Sequence, residues 1–118
     1  MQNQFMIKIY HNNRCRKSRE GLAILENSEH DYEVIQYLDH PPTADELKSI
    51  LKKLNIKPLD LVRKNEKIWK EEFKNEELSD AELIDIMCQN PKLIERPIVV
   101  SEKRAVIGRP PENIHTIL

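Results

Sequence analysis

The sequence predicts a small α/β fold in which strands and helices alternate around one hydrophobic core. Apolar, strand-like runs alternate with amphipathic helical patterns, an order that is typical of α/β proteins. The chain has 118 residues, 39% of them hydrophobic, which suits a single core. No apolar stretch approaches the ~20 residues of a membrane-spanning helix. We therefore expect one domain over residues 1–118.

The N-terminal third has the pattern of a strand, a helix and a second strand. Residues 5–10 form a largely apolar run, and residues 32–37 are rich in β-branched and aromatic side chains, as strands are. Between them, a helix is predicted to begin at Cys15 and to end near Asn27. Because a strand–helix–strand unit joins parallel strands, we expect these two strands to pair in parallel.

Two further helices are predicted to begin at capping boxes, in which a Ser or Thr and a Glu three residues later cap each other's backbone. Thr43 and Glu46 mark the first helix, and Ser79 and Glu82 mark the second, which Pro91 ends. The apolar residues of both helices have the spacing of one helical face. These residues are Leu47, Ile50, Leu51 and Leu54 in the first helix, and Leu83, Ile84, Met87 and Cys88 in the second.

The remaining elements are shorter. A short helix or turn is predicted over 59–64, and a solvated, partly helical segment is predicted over 66–77, where charged residues dominate. Residues 97–100 and 105–107 are apolar runs on either side of a polar turn, which predicts a β-hairpin. A short helix over 112–118 is predicted to close the fold.

Composition excludes some classes of partner. The 19 Lys and Arg residues nearly balance the 20 Asp and Glu residues, so a net charge of -1 gives no general attraction to nucleic acid or to anionic membranes. Two glycines argue against a Gly-rich phosphate loop. With two cysteines and no visible signal-peptide pattern, we expect a cytoplasmic protein without a disulfide framework.

Cys15 is the strongest candidate for a catalytic residue. It follows a strand pattern and a short polar turn, at a predicted helix start, with Arg14, Arg16 and Lys17 beside it. Nearby cations and a helix N-terminus both favour the thiolate, which is the nucleophilic form of cysteine, and both can hold an anion beside it. The alternative is a small apolar residue that only packs near the helix start.

The position three residues later is Ser18, so the chain lacks a Cys-x-x-Cys motif. A disulfide or adduct at Cys15 therefore needs an external thiol to resolve it. The Ser18 hydroxyl could donate a hydrogen bond to the Cys15 sulfur, or it could be an ordinary first-turn serine. Cys88 lies on an apolar helical face, where a buried, inert thiol is the favoured interpretation.

Arg63, Arg96 and Arg109 lie at the ends of predicted elements. Each alone would be an ordinary surface residue, but together with a helix-start thiol they make a plausible oxyanion clamp. The forked guanidinium suits tetrahedral oxyanions because it forms paired hydrogen bonds. The sequence alone does not show that the three arginines converge.

His11 could donate a proton or tune the thiol, or it could be a turn residue that hydrogen-bonds to the backbone. The other histidines have no ligand-like spacing relative to cysteines or carboxylate pairs, so no metal site is predicted. These histidines are His30, His40 and His115.

Taken in order, blocks along nearly the whole chain resemble the glutaredoxin-coupled arsenate reductase family, part of the arsenate reductase-like/Spx superfamily. The first block is Ile9-Tyr10-His11-Asn12 followed by Cys15-x-x-Ser18-Arg19. The others are Tyr37-Leu38 with Pro41-Pro42-Thr43 and Glu46-Leu47, Leu61-Val62-Arg63-Lys64-Asn65, Leu83-Ile84-Asp85 with Pro91, Ile94-Glu95-Arg96-Pro97-Ile98-Val99-Val100, and Gly108-Arg109-Pro110-Pro111-Glu112.

The resemblance implies a thioredoxin-like fold with a mixed sheet, flanking helices and an inserted helical section, and a cis bond before Pro97. It implies reduction of arsenate to arsenite through an adduct on Cys15, with glutathione as co-substrate, glutaredoxin as partner, and no bound cofactor or metal. The same resemblance implies an oxyanion site and two thiol-supporting residues. These residues are Arg63, Arg96 and Arg109 for the oxyanion, and His11 and Ser18 for the thiol.

Three residues depart from the pattern of the best-known arsenate reductases. Asn13 stands where a proline is expected, and Arg16 and Lys17 stand where small residues are expected. The added charge could strengthen anion capture or favour a larger thiol substrate. The charges of Arg16 and Lys17 therefore leave one alternative open, a general thiol oxidoreductase acting on glutathione mixed disulfides. A second alternative is an Spx-like regulator that binds RNA polymerase, because Spx-type regulators also resemble this family. Ser18 counts against an internal disulfide switch in such a regulator.

Overall fold

The computed structural model describes residues 6–118, so Phe5 of the predicted first strand lies outside the described residues. The chain forms two compact units. One contains the chain up to His40 together with Arg96–Leu118, and the other contains Pro41–Glu95. The second unit corresponds to the helical section that the resemblance implies. The single domain expected over residues 1–118 stays a prediction.

The first unit is built on a four-stranded mixed sheet with the order β2-β1-β3-β4. Strands β1 and β2 pair in parallel, whereas β3 pairs antiparallel with both β1 and β4. The parallel pair and the C-terminal hairpin confirm the sequence prediction. The strands are β1 (Ile7–His11), β2 (Tyr32–Gln36), β3 (Ile98–Val100) and β4 (Ala105–Ile107).

Helix α1 (Arg16–Glu26) connects β1 to β2, and a 3₁₀ helix (Pro111–Ile117) packs against it. The buried residues of α1 are Ser18, Gly21 and Leu25, the spacing of one helical face. Apolar side chains of the sheet and helices form a core, including the fully buried Ile9, Leu25, Val99 and Ile114. Burying each such side chain contributes about 1.5–3 kcal/mol.

Both glycines of the chain allow a close approach to the same two side chains. A Cβ atom on Gly21 would lie 2.9 Å from Pro97 Cγ and 3.0 Å from Ile114 Cδ1. A Cβ atom on Gly108 would lie 2.9 Å and 3.1 Å from the same atoms. Helix α1 and the end of β4 therefore reach Pro97 only because neither position carries a side chain.

The second unit is helical. Both predicted capping boxes are present: Glu46 N–H donates to Thr43 Oγ1 at 3.2 Å, and Glu82 N–H donates to Ser79 Oγ at 3.1 Å. An isolated antiparallel bridge joins Val62 to Ile94. The helical elements are α2 (Ala44–Leu54), α3 (Pro58–Leu61), a π-helical turn (Trp69–Phe73), α4 (Asp80–Gln89) and a 3₁₀ helix (Pro91–Leu93).

Two segments differ from their predicted character. The segment 66–77 is not solvated throughout, because Trp69 is only 6% exposed and anchors the π-helical turn in the unit. The closing helix is a 3₁₀ helix that begins at Pro111, one residue before the predicted range. The many charged residues of 66–77 predicted exposure to solvent, but the apolar indole of Trp69 is buried within this stretch.

We expect the substitution Gly21→Ala to destabilise the chain although alanine favours helices. Overpacking of the rigid Pro97 ring and the buried Ile114 costs about 1–3 kcal/mol, and the helix propensity of alanine offsets about 1 kcal/mol of this. Urea unfolding should show a net loss of up to about 2 kcal/mol. Glu26→Ala, an exposed change in the same helix, is the control, and a Gly21→Ala chain as stable as wild type would contradict the packing argument.

Candidate active site

The turn between β1 and α1 places Cys15 at the start of the helix. Cys15 N–H donates to Asn12 O at 3.0 Å, and Arg14 N–H donates to Asn12 Oδ1 at 3.0 Å. Cys15 is the N-cap residue, with extended backbone angles, and Arg19 N–H donates to its carbonyl at 3.0 Å. The sulfur therefore lies at the positive end of the helix dipole, as the sequence predicts.

Arg109 meets Cys15 from 94 residues further along the chain. Its Nη2 donates to Cys15 Sγ at 3.5 Å, and its Nε donates to the backbone carbonyl of Arg96 at 2.8 Å. The second bond fixes the guanidinium, although the Arg109 side chain is exposed. A guanidinium that donates to sulfur interacts more favourably with a thiolate than with a neutral thiol.

Arg96 contributes to the site with its backbone carbonyl and with its side chain. Its carbonyl orients Arg109, and its peptide bond to Pro97 is cis, as the family resemblance implies. Its Nε is buried and has no hydrogen-bond partner among residues 6–118. Since an unpaired buried N–H is costly, this donor is a natural partner for an anion.

Arg63 lies in the second unit, where two carboxylates balance its charge. Its Nη1 lies 2.9 Å from Glu66 Oε2, and its Nε lies 3.3 Å from Glu95 Oε1. Glu66 is three residues from Arg63, so this contact is local, but nothing in the sequence indicates the contact with Glu95. The part predicted for Arg63 in oxyanion binding stays a prediction.

His11 and Ser18 form a buried polar pair behind the turn. They are 3% and 0% exposed, and Ser18 Oγ lies 2.9 Å from His11 Nδ1. Ser18 Oγ also accepts from Asn12 N–H at 3.0 Å. The Ser18 hydroxyl therefore contacts His11 and Asn12, and its donation to the Cys15 sulfur stays a prediction.

The charge state of His11 follows from its burial. Desolvation, the largest influence, lowers the pKa of His11. A hydrogen bond with the backbone of Ser18 opposes this shift, the charge of Arg19 adds to it, and the charge of Glu26 opposes it. The imidazole is therefore mainly neutral at pH 7. A neutral ring can accept the Ser18 proton at Nδ1 while Ser18 Oγ accepts from Asn12. These contacts join the turn that carries Cys15 to α1, and the thiol-supporting parts of His11 and Ser18 stay predictions.

Asn12 is the residue that the sequence analysis missed. Its carbonyl accepts from Cys15, its side chain accepts from Arg14, and its N–H donates to Ser18. An asparagine directly after a predicted strand is a typical start of an Asx turn, in which its side chain accepts from the backbone N–H two residues on. This pattern could have identified Asn12 from the sequence.

Residues 10–117 match the ArsC family. The chain belongs to the ArsC family. It is 45% identical to the uncharacterized protein YfgD of Escherichia coli (strain K12), over 95% of this chain and 96% of that relative. It is also 41% identical to an arsenate reductase of Neisseria meningitidis serogroup A / serotype 4A (strain DSM 15465 / Z2491), over 95% of this chain and 97% of the relative.

Solved structures give the same result for the fold. An arsenate reductase from Vibrio cholerae matches with a TM-score of 0.92 and 43% identity, over 98% of this chain and 100% of that chain. The thioredoxin-like α/β fold that the resemblance implied is therefore confirmed. None of the helices formed by residues 6–118 is long and apolar enough to cross a membrane.

In this ArsC-family chain, the two residues that depart from the expected pattern on α1 share one carboxylate. Arg16 Nε lies 3.2 Å from Glu20 Oε1, and Lys17 Nζ lies 3.6 Å from Glu20 Oε2. Their side chains are 84% and 46% exposed. One glutamate therefore faces two cations, and positive charge beside Cys15 remains accessible to solvent.

Cys88 has the opposite environment. Burial raises the pKa of the Cys88 thiol, and the carboxylates of Asp85 and Glu46 raise it further, so the thiol is protonated at neutral pH. Cys88 is only partly buried, and both cysteines are free. Within residues 6–118, no three His, Cys, Asp or Glu side chains are grouped as a metal site requires.

We expect the stability of the chain to fall as the solution is acidified through the range where His11 titrates. The His11 pKa is lowered in the folded chain from 6.5, so below about pH 6.5 the unfolded chain binds more protons. The free energy of unfolding should therefore decrease from about pH 6.5 down to the lower folded pKa and be constant above this window.

Urea unfolding at pH values between about 5.5 and 7.5 measures this dependence. His11→Asn keeps a hydrogen-bonding group near the Nδ1 position but does not titrate, so the slope in this range should become smaller. His115→Gln removes an exposed histidine and is the matched control. An unchanged slope in His11→Asn would show that His11 is not the titrating group.

Proposed function

We propose that this chain is an arsenate reductase in which Cys15 is the nucleophile and glutathione and glutaredoxin supply the electrons. The observation that carries the proposal is the Arg109 guanidinium donating to Cys15 Sγ at a helix N-terminus, in an ArsC-family fold. Arsenate reductases are also among the proteins to which the chain is similar.

The oxyanion would bind where three kinds of donor are present. The helix start supplies backbone N–H groups without intrahelical partners. Arg109 retains N–H groups beyond the two used for Cys15 and Arg96, and the buried Nε of Arg96 has no partner in the described part of the chain. Such donors stabilise the charge that develops on oxygen as sulfur attacks.

The proposed reaction consists of three nucleophilic attacks in succession. The Cys15 thiolate attacks arsenic(V), an S–As bond forms, and one arsenate oxygen leaves as water after protonation. The glutathione thiolate then attacks Cys15 Sγ, and the electron pair of the broken S–As bond stays on arsenic, which leaves as arsenite. A glutaredoxin thiolate finally attacks the glutathione sulfur and releases the Cys15 thiolate.

An external reductant is consistent with the remaining thiol chemistry of the chain. Ser18 replaces a second cysteine in the first turn of α1, and its hydroxyl is committed to His11 and Asn12. Cys88 is protonated at neutral pH, since burial and two carboxylates raise its pKa. A protonated thiol is a poor nucleophile toward a disulfide.

A second candidate function is reduction of glutathione mixed disulfides without a role for arsenate. The exposed cations Arg16 and Lys17 favour it, because they could pair with the carboxylates of glutathione or of an acidic protein. Turnover measured side by side on arsenate and on a glutathione mixed disulfide separates the two functions. Arsenate turnover supports the proposal, whereas turnover of the disulfide alone favours the second candidate.

We expect Cys15→Ser to reduce arsenate turnover to the uncatalysed background, because a hydroxyl of high pKa replaces the nucleophile. Arsenite release in the presence of glutathione and glutaredoxin is the measurement. Cys88→Ser is the matched control and should keep wild-type turnover. Substantial arsenite release by Cys15→Ser, or its loss in Cys88→Ser, would defeat the mechanism.

We expect Arg109→Ala to weaken both arsenate capture and thiol reactivity. Loss of a hydrogen bond to a charged group costs about 1.5–3 kcal/mol, so KM for arsenate should rise by about 10- to 100-fold. The rate of Cys15 alkylation by iodoacetamide at neutral pH should also fall. Arg104→Ala removes an exposed arginine of the β3–β4 turn and is the control; identical kinetics in both variants would remove Arg109 from the site.

A further inference from the structure

The second unit contains a groove that the proposed chemistry does not use. We define the lysine-rimmed groove by its apolar floor, Trp69 and Leu83, and by three lysines, Lys64, Lys70 and Lys74. Its volume of about 440 Å³ lies within the range of ligand-binding pockets. All the residues that line it belong to Pro41–Glu95.

Apolar groups form the base and the sides of this groove. Trp69 and Leu83 are 6% and 4% exposed, so they are firmly packed and still contribute surface to the groove. Leu78 is half-buried at its side, and Leu59 is 43% exposed, a large fraction for a leucine. A rigid aromatic floor with accessible leucines is the kind of surface that takes an apolar anchor side chain.

The π-helical turn determines which side chains surround the floor. Lys74 N–H donates to Trp69 O at 2.8 Å, an i→i+5 bond that widens the turn between them. Lys70, which directly follows Trp69 in the chain, also lines the groove. Such turns are rare and are frequently found at functional sites.

The rim is positive although the whole chain is not. Lys64 Nζ donates to Leu59 O at 2.7 Å, which holds one cation at the edge of the groove. No ion pair is formed by Lys70 or Lys74 within the described range 6–118, and Glu76 is the one carboxylate of that range that lines the groove. Three cations against one anion contrast with a net charge of -1 for the chain.

We propose that the lysine-rimmed groove binds an acidic segment of a partner protein that inserts an apolar side chain onto Trp69. The floor accepts the apolar anchor, and the three lysines pair with carboxylates that flank the anchor in the partner's sequence. A segment that has only the apolar anchor would leave the lysines unpaired, and a segment that has only the carboxylates would leave the apolar floor uncovered. This binding does not depend on Cys15 or on the proposed reduction of arsenate.

Trp69 is the single tryptophan of the chain, so its fluorescence reports directly on the groove. Three synthetic peptides of equal length serve as probes. The first has a central Leu-Phe pair flanked by Asp and Glu, the second replaces the acids by Asn and Gln, and the third keeps the acids but replaces Leu-Phe by Ala-Ala. We expect a saturable change in fluorescence with the first peptide, and binding about tenfold weaker or undetectable with the other two.

Charge reversal on the rim provides the second arm of the test. The double variant Lys70→Glu/Lys74→Glu should bind the first peptide at least about tenfold more weakly. The control Lys48→Glu/Lys92→Glu makes the same charge change at exposed lysines that do not line the groove, and should bind as wild type does. Urea unfolding of both variants checks that each is folded.

Several outcomes would overturn the proposal. No saturable signal with the acidic apolar peptide excludes the proposed occupant. Equal binding of the neutral peptide would indicate an unspecific apolar surface, and equal loss in both double variants would indicate a general charge effect. A fluorescence change that depends only on the concentration of the chain would show that a second copy occupies the groove. None of these results bears on arsenate turnover, which is measured separately.

Discussion

The proposed chemistry depends on one guanidinium that is held from both sides. Arg109 donates to the Cys15 sulfur with Nη2 and to the carbonyl of Arg96 with Nε, so its orientation does not depend on the sulfur alone. Because the Arg96 carbonyl belongs to the chain just before β3, the sheet itself positions the cation. Preorganisation of this kind matters because a donor that is already oriented pays no reorganisation cost when charge develops on the oxyanion.

The position of the Cys15 sulfur also depends on a buried hydrogen-bond network next to the turn between β1 and α1. His11, Ser18 and Asn12 join the end of β1 to the first turn of α1 through hydrogen bonds that water does not reach easily. A buried polar network of this kind stabilises one geometry only when its groups are paired, since each unpaired group carries a desolvation cost. A neutral imidazole, favoured by the lowered pKa of His11, allows such pairing without burying a charge.

The sequence predicted local features well and long-range contacts poorly. The capping boxes, the hairpin and the start of α1 at Cys15 depend on residues a few positions apart, and all are present. The contact between Arg109 and Cys15 spans 94 residues, and sequence spacing could not predict it. The family resemblance implied only that Arg109 binds the oxyanion and that Cys15 is the nucleophile. The burial of Trp69 was missed because composition averages over a segment, whereas one indole can be buried within a charged stretch.

The contrast between the two cysteines supports the proposal that an external thiol supplies the electrons. Cys15 caps the positive end of a helix and accepts from a guanidinium, whereas Cys88 lies in the last turn of α4, at the negative end of its helix, near Asp85 and Glu46. Burial and these two carboxylates keep the Cys88 thiol protonated at neutral pH, whereas the Cys15 sulfur accepts a hydrogen bond from a cation. A protonated Cys88 is a poor nucleophile toward an adduct on Cys15, and for this reason we propose a separate thiol for the second half of the cycle.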